Sequence, residues 1–316
     1  MKTVLVTGAS GMIGMDVCYG LLSKGFNVIG TDKQTNEFIG QPNYTFIQSA
    51  IHDKGKITSM LESQKVDVLV HLANSCDNDI PTFITDDEMD NSKATDKFIY
   101  KAAVGAGVKD ILLLSTTMVY ASSKSREPIR ETFEVKPQSF YGKMKLDSED
   151  ALLSAVKKGG TNPVVIRCAP VYKAKFTQNL RDKVYDAKDD TAFVYQGGEY
   201  GFSFCCIYNL VEFVNAIVLG PQGHYDGVYN VCDSKPTLAR EILEYERAFH
   251  RIGPVLQRGT GADAIKTALS ANISSSKRAK ADYRFLDIGT ITNNISYDNT
   301  KAKRISTFRW TLANTK

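Results

Sequence analysis

At 316 residues, 43% of them hydrophobic, the chain is long enough for one large α/β domain with an appended lobe. Its net charge of +4 is mild, and its Lys and Arg are spread along the chain, locally dense at Lys277-Arg278-Ala279-Lys280, with no aromatic platform between them, so no nucleic-acid partner is expected. Six cysteines, at 18, 76, 168, 205, 206 and 232, form no Cys-x-x-Cys pair and have no histidine at ligand spacing, which argues against a disulfide framework and a metal site and fits a reducing cytoplasm.

Thr3-Val4-Leu5-Val6 is a short apolar run, too short to span a membrane, that leads into Gly8-Ala9-Ser10-Gly11-Met12-Ile13-Gly14 and an amphipathic stretch through Leu22. The pattern predicts a strand, a glycine-rich turn and a helix. Glycines at 8, 11 and 14 permit a tight turn, close approach of the backbone to a pyrophosphate, and close packing of helix on strand, with the helix N-terminus facing the anion. A second apolar run, Phe26 to Gly30, ends at Thr31-Asp32, where a carboxylate can accept hydrogen bonds from an adenosine ribose. Asp32 favours NAD over NADP because a 2′-phosphate beside it would be repelled, and Lys33 softens that discrimination. By itself Asp32 also suits a turn closing a strand; the upstream glycines favour the cofactor.

Strand-like runs at Val66 to Leu72, Ile111 to Leu114 and Val164 to Ile166 alternate with helical segments up to about residue 170. Such alternation predicts a doubly wound parallel sheet with helices on both faces, and ligands gather at the carboxyl ends of its strands. His71-Leu72-Ala73-Asn74 and Ser115-Thr116-Thr117 lie at two such ends and belong to the cleft, His71 itself reading as a packed strand residue. Further on, Leu210 to Leu219 reads as a helix, Gly227 to Val231 as a returning strand and Ala239 to His250 as a helix. Residues 254–282, rich in Gly, Ser and Lys, read as loops or a cover.

Thr116, Tyr141 and Lys145 carry the chemistry. Tyr141 and Lys145 are one helical turn apart and so share a face. A free phenol, with a pKa of about 10, would have to fall by roughly three units to act as a base at neutral pH, and a neighbouring ammonium is one of the few ways to achieve this. Taken alone, such a pair is more often a core-edge ring and a solvated charge. Its place on a dinucleotide-binding scaffold favours catalysis.

Thr-Gly-Ala-Ser-Gly-Met-Ile-Gly, His-Leu-Ala-Asn, Asn91 with Ala94-Thr95, Ser-Thr-Thr-Met-Val-Tyr, Pro137 to Lys145 and Arg167 to Tyr172 occur in the order seen in extended short-chain dehydrogenases/reductases. Over roughly residues 1–235 the chain resembles the NAD-dependent sugar epimerases and dehydratases, the branch that includes UDP-glucose 4-epimerase. The resemblance implies a Rossmann domain over residues 1–170, completed by about 205–235, and a smaller interleaved substrate lobe from 171–204 and 236–316. It implies that Thr116 binds the reacting sugar oxygen, Tyr141 exchanges its proton, and Lys145 depresses the Tyr141 pKa while binding the nicotinamide ribose. Gly8, Ser10, Gly11, Met12, Ile13, Gly14, Asp32, Lys33, Ile51, Leu72, Ala73, Asn74, Asn91 and Ser115 would complete the cofactor site, and Thr117, Asn179, Leu180 and Tyr195 would join Thr116 at the substrate. The expected partner is a small molecule, a nucleotide sugar. Helices around 91–106 and 141–158 would pair in a homodimer, although their apolar faces suit packing within the chain equally.

In related dehydratases an Asp and a Glu follow the catalytic Thr, whereas Thr117 and Met118 stand here, which leaves epimerisation or simple oxidation and reduction of an alcohol. Other departures touch the substrate. Pro170 and Phe202 replace an Asn and an Arg that hold the diphosphate in relatives, and Lys173, Lys175, Arg181 and Arg284 are the candidate substitutes. Ala50 stands where relatives place an adenine-contacting Asp, leaving the Ile51 backbone and Asp53, which also suits a helix cap.

Overall fold

A computed structural model describes residues 1–74, 85–121, 127–157, 159–174, 176–181, 183–186, 191–249, 252–258 and 296–315. The chain begins with β1 (Thr3–Thr7), α1 (Met12–Ser23), β2 (Asn27–Asp32), β3 (Tyr44–Gln48), α2 (Lys54–Ser63), β4 (Val68–His71), α3 (Asp86–Gly105), β5 (Asp110–Thr116), α4 (Phe140–Val156) and β6 (Asn162–Cys168). It continues through β7 (Val171–Tyr172), α5 (Gln178–Arg181), β8 (Tyr185–Asp186), β9 (Thr191–Tyr195), β10 (Gly201–Phe202) and β11 (Cys205–Cys206). It closes with α6 (Ile207–Leu219), β12 (Gly227–Val231), β13 (Thr237–Leu238), α7 (Ala239–Phe249), β14 (Val255–Arg258) and α8 (Thr300–Lys303).

Seven strands form one parallel sheet in the order β3-β2-β1-β4-β5-β6-β12. Alternation along each strand divides its side chains between two cores. Val4, Val6, Val68, Val70 and Leu112 pack with Val17 and Leu21 of α1 and with Leu210, Phe213 and Val214 of α6. Leu5, Leu69, Ile111 and Leu113 face the other way, onto Ile57, Met60 and Leu61 of α2, Ile99 and Tyr100 of α3, and Leu152 of α4. The doubly wound parallel sheet expected from the sequence is therefore the observed architecture. A third core belongs to the lobe, where Tyr172, Phe193, Tyr195, Tyr200, Phe202 and Phe204 pack with Leu180 and with Ile242 and Leu243 of α7.

Two differences from the sequence reading concern strands. The edge strand β3 was not anticipated: Tyr44 is buried and Thr45 exposed, but the run is short and polar-tipped. Residues 255–258, expected in a loop, form β14 parallel to β9, because Val255 and Leu256 reach an open edge of that strand. Residues 259–282, Lys277 to Lys280 included, lie outside the described residues. Among the described residues no helix is long and apolar enough to cross a membrane.

Candidate active site

Strand order reverses between β1 and β4, so their carboxyl ends diverge around a crevice of the kind in which α/β sheets bind ligands. The turn after β1 is built for close approach. Gly8 has φ of 73°, and a Cβ on it would lie 2.9 Å from the main-chain nitrogen of Ala73 across the crevice. A Cβ on Gly14 would lie 1.9 Å from the Gly8 carbonyl oxygen, so α1 packs against the turn with no room for any other residue. Gly11 is the N-cap of α1; no side chain caps the helix and its first turn carries no acid. The N–H groups of this first turn, at Met12 and Ile13, are thus left for an anion.

Asp32 closes β2, where its Oδ2 accepts a hydrogen bond from the Ser10 N–H at 3.0 Å and its Oδ1 one from the Gln34 N–H at 3.4 Å. The Ser10 hydroxyl donates to the Gln34 carbonyl at 2.6 Å, which ties the glycine turn to the carboxylate strand. Lys33 is exposed and its carbonyl accepts from Gln48 Nε2 at 2.7 Å. Ile51 is buried in the α2-side core, and Asp53 caps α2 by accepting from the Lys56 N–H at 3.1 Å. Across the crevice the N–H groups of Leu72 and Ala73 donate to the Thr7 carbonyl and hydroxyl, at 3.2 and 3.3 Å. Asn74 and, on α3, Asn91 are exposed. His71 is a packed strand residue, its ring nitrogens 2.8 Å from Thr7 Oγ1 and 3.2 Å from Asp96 Oδ1.

Thr116 ends β5 and its Oγ1 accepts from the Met118 N–H at 3.2 Å, which opens a tight turn over Thr117–Val119. The N-terminus of α4 is set against that turn. Ser139 caps the helix, its Oγ accepting from the Gly142 N–H at 3.0 Å. A Cβ on Gly142 would be 2.5 Å from the Met118 carbonyl oxygen. Tyr141 and Lys145 project from one face of the helix, with Lys145 Nζ 6.0 Å from the centre of the Tyr141 ring. Lys145 is buried and Tyr141 half-buried.

Beneath this face Ser115 donates to Glu149, whose carboxylate takes three hydrogen bonds from Arg167 of β6, the shortest 2.7 Å. Arg167 also lies 4.8 Å from the Tyr120 ring centre, and burial pushes that phenol up to about 12, so it takes no part in proton exchange near neutrality. Gly142 and Glu149 were missed in the sequence. Glu149 had a signal, a carboxylate one turn beyond Lys145 on a helix face that the triplet commits to the interior.

The lobe residues expected at the substrate are used differently. Asn179 Nδ2 donates to the Val171 carbonyl at 2.7 Å, pinning α5 to β7. Leu180 and Tyr195 are fully packed into the lobe core, where their side chains hold its shape. Lys173 is paired with Asp16 of α1 at 2.5 Å, and Arg181 with Glu246 at 3.4 Å, so both candidate diphosphate cations already have carboxylate partners. Lys175 and Arg284 lie outside the described residues. Phe202 is buried between Tyr200 and Phe204.

The sequence profile described as the NAD dependent epimerase/dehydratase family matches residues 4–232. The chain belongs to this family. Among characterised relatives it is 28% identical over 167 residues to UDP-glucose 4-epimerase 4 of Oryza sativa subsp. japonica, covering 47% of this chain and 43% of that one. It is 25% identical over 173 residues to the dTDP-6-deoxy-L-talose 4-dehydrogenase (NAD(P)(+)) of Kitasatospora kifunensis, covering 54% and 53%. The chain thus spans about half the length of the relatives it matches. In fold it superposes on UDP-glucuronic acid 4-epimerase from Bacillus cereus, solved with UDP-glucuronic acid and NAD, with a TM-score of 0.70 over 99% of this chain and 96% of that chain at 16% identity. The residues at the crevice fit the family's cofactor: a glycine turn that a Cβ would fill, an uncapped helix N-terminus, and a carboxylate at the end of β2.

Proposed function

We propose that the protein is an NAD-dependent epimerase of a nucleotide-activated sugar. The observation that carries this reading is Tyr141 and Lys145 on one face of α4, with the helix pressed through Gly142 onto the turn that begins at Thr116. NAD bound at the glycine turn would supply reversible hydride chemistry. Gly8, Ser10, Gly11, Met12, Ile13 and Gly14 would hold its pyrophosphate, and Asp32, with Lys33 beside it, the adenosine ribose. Leu72, Ala73, Asn74, Asn91 and Ser115 would line the nicotinamide half, while the Ile51 main chain would border the adenine.

The chain's own residues then work on one alcohol. Thr116 Oγ1 hydrogen-bonds the reacting oxygen, Tyr141 takes its proton and later returns it, and the Lys145 ammonium stabilises the phenolate. The ketone formed would have to present its other face before it takes back a hydride on carbon and the Tyr141 proton on oxygen. Thr117 and Met118 offer no acid or base for removing water, which keeps the chemistry at one carbon. The lobe formed by 171–204 and 236–316 would cover the sugar nucleotide, with Asn179 at its edge. The enzyme would work in the cytoplasm as a homodimer.

Purified protein supplied with UDP-glucose, UDP-galactose or UDP-glucuronic acid deuterated at C4 should interconvert the epimers with the label retained. Label in free NADH would overturn the epimerase and favour a net dehydrogenase, the activity named for the Kitasatospora relative. The Tyr141→Phe variant should lose at least about 100-fold in kcat while still releasing NAD on denaturation. Unchanged turnover would remove Tyr141 from the reaction.

A further inference from the structure

The turn that carries Thr116 is fixed at both ends. At its start the Thr116 hydroxyl oxygen accepts from the Met118 N–H at 3.2 Å, and at its close the Tyr120 N–H donates to the Thr117 carbonyl at 3.3 Å. The first bond uses an acceptor position of the hydroxyl and leaves its proton for a substrate oxygen. Because the Met118 carbonyl also bears on Gly142, whatever shifts the turn shifts Thr116 and the helix of Tyr141 together. Tyr120 is the side chain that anchors the far end. The Arg167 guanidinium lies 4.8 Å from its ring centre, the Tyr297 ring stacks on it at 6.0 Å, and it shares a small core with Val119, Ile129 and Leu146 of α4.

The Tyr120 hydroxyl ends on Asn230 of β12, at 2.5 Å. This strand is an edge of the sheet, so its outward N–H and C=O groups need partners from elsewhere. The Val228 carbonyl takes Lys301 Nζ at 2.9 Å, and the Asn230 N–H donates to Glu131 Oε1 at 2.9 Å. The Asn230 side chain is fully buried, and its two ends can be told apart. One end is 2.9 Å from the Ile129 carbonyl and 3.2 Å from the Asp298 carbonyl; both can only accept, so Nδ2 stands there and Oδ1 accepts from Tyr120. Ile129 and Asp298 are themselves joined, since the Asp298 N–H donates to the Ile129 carbonyl at 2.9 Å and the Ile129 N–H to the Ser296 carbonyl at 2.8 Å. Asn230 is thus where the Thr116 turn, the stretch leading to α4 and the 296–298 segment all meet the sheet.

We propose that Asn230 is a positioning residue for the reaction: through the Tyr120 hydroxyl it holds the turn that aims Thr116 at the reacting oxygen and against which α4 is set. A carboxamide suits the task, because it accepts from a phenol at one end and donates to two carbonyls at the other without bringing a charge into the core. Serine is too short to serve all three partners, and aspartate would turn a carboxylate oxygen toward two carbonyls. Loss of the link frees the far end of the turn. The Met118 N–H then leaves the Thr116 hydroxyl, which becomes free to rotate away from the substrate.

The inference rests on the proposed role of Thr116, and the first of its two tests needs no substrate. Tyr120→Phe removes the bond to Asn230 and keeps the ring. In that variant and in Asn230→Ser the Met118 amide should exchange with deuterium about 10-fold faster, measured relative to the amides of β1 in the same sample. Unchanged relative exchange in a folded Tyr120→Phe overturns the proposal. The second test is a double-mutant cycle in kcat on an active nucleotide sugar. Each single variant should lower kcat per folded molecule by about 10-fold or more with KM little changed, and the double variant should be no slower than the slower single, since both cut one connection. Losses that multiply would mean that Tyr120 and Asn230 act separately, and would overturn the proposal. Native kcat per folded molecule in Tyr120→Phe would do the same, because a purely structural role lowers the melting temperature alone. If Asn230→Ser does not fold, Tyr120→Phe decides by its exchange and its kcat. Absence of turnover with every nucleotide sugar sinks the epimerase reading, and the exchange measurement then decides whether Asn230 holds the turn.

Discussion

Gly142 sits where the helix carrying Tyr141 meets the turn carrying Thr116. With 2.5 Å from its missing Cβ to the Met118 carbonyl oxygen and 3.0 Å to Pro137 Cβ, any side chain there pushes the helix away from the turn. Gly142→Ala should therefore destabilise the protein by about 1–3 kcal/mol and lower kcat by more than the fraction unfolded explains, because Tyr141 moves with the helix. Thermal melting and initial rates on the same sample check both parts, and native kcat in this variant would mean that the contact does not set the phenol's position. That Tyr141 and Lys145 share one face of α4 was legible because the pair has a local spacing. Gly142 was not legible, since its reason is a contact across space with a carbonyl group. The burial of Leu180 and Tyr195 in the lobe core was not legible for the converse reason: an aromatic or aliphatic side chain looks the same in sequence whether it faces a ligand or a core.

Helix α4 is fixed along its length by a cap, a close contact and a buried ion pair, and these differ in how much they contribute. The Ser139 cap supplies about 1 kcal/mol. The Glu149–Arg167 pair matters more, because both groups are buried and Arg167 remains protonated despite burial, held up by the carboxylate beside it. Glu149→Gln should cost about 3–5 kcal/mol by leaving the guanidinium uncompensated, and the double variant Glu149→Leu with Arg167→Met should recover much of the loss. Denaturant unfolding of the two variants decides this; equal losses would show that the damage is lost packing. The sequence exposed α1, α4 and the central strands through period and turn residues, whereas β3 and β14 went unseen. Both are short, and each becomes a strand only through the neighbour it pairs with, Val28 to Asp32 for β3 and Ala192 to Tyr195 for β14.

Sheet and lobe meet at Asp233, just beyond the end of β12. Its carboxylate accepts from the Tyr172 hydroxyl of β7 at 2.8 Å, the Cys206 N–H of β11 at 2.8 Å and Asn209 Nδ2 of α6 at 2.7 Å. The described contacts to this carboxylate include no cation, and burial outweighs the three donors, raising its pKa from 3.8 to about 6. In the unfolded chain Asp233 releases its proton near 3.8, while the native state still holds it. Stability from this group is thus fully present below the unfolded value and is lost as pH rises through about 6, at roughly 1.4 kcal/mol per unit or about 3 kcal/mol in all. Other carboxylates act in the opposite sense, since Asp96 and Asp298 are held below the ordinary value and lose their contribution on acidification. The comparison must therefore be made between proteins at each pH. Relative to the wild type, Asp233→Asn should gain stability steadily between pH 4 and 6 and hold that gain above 6, because an amide keeps the acceptor for Cys206 and Asn209 and carries no charge to bury. Chemical denaturation across that range measures the difference, and a gap independent of pH would show that Asp233 is not protonated in the native joint. Such a result would leave an ionised carboxylate, satisfied by three donors alone, as what holds the lobe to the sheet.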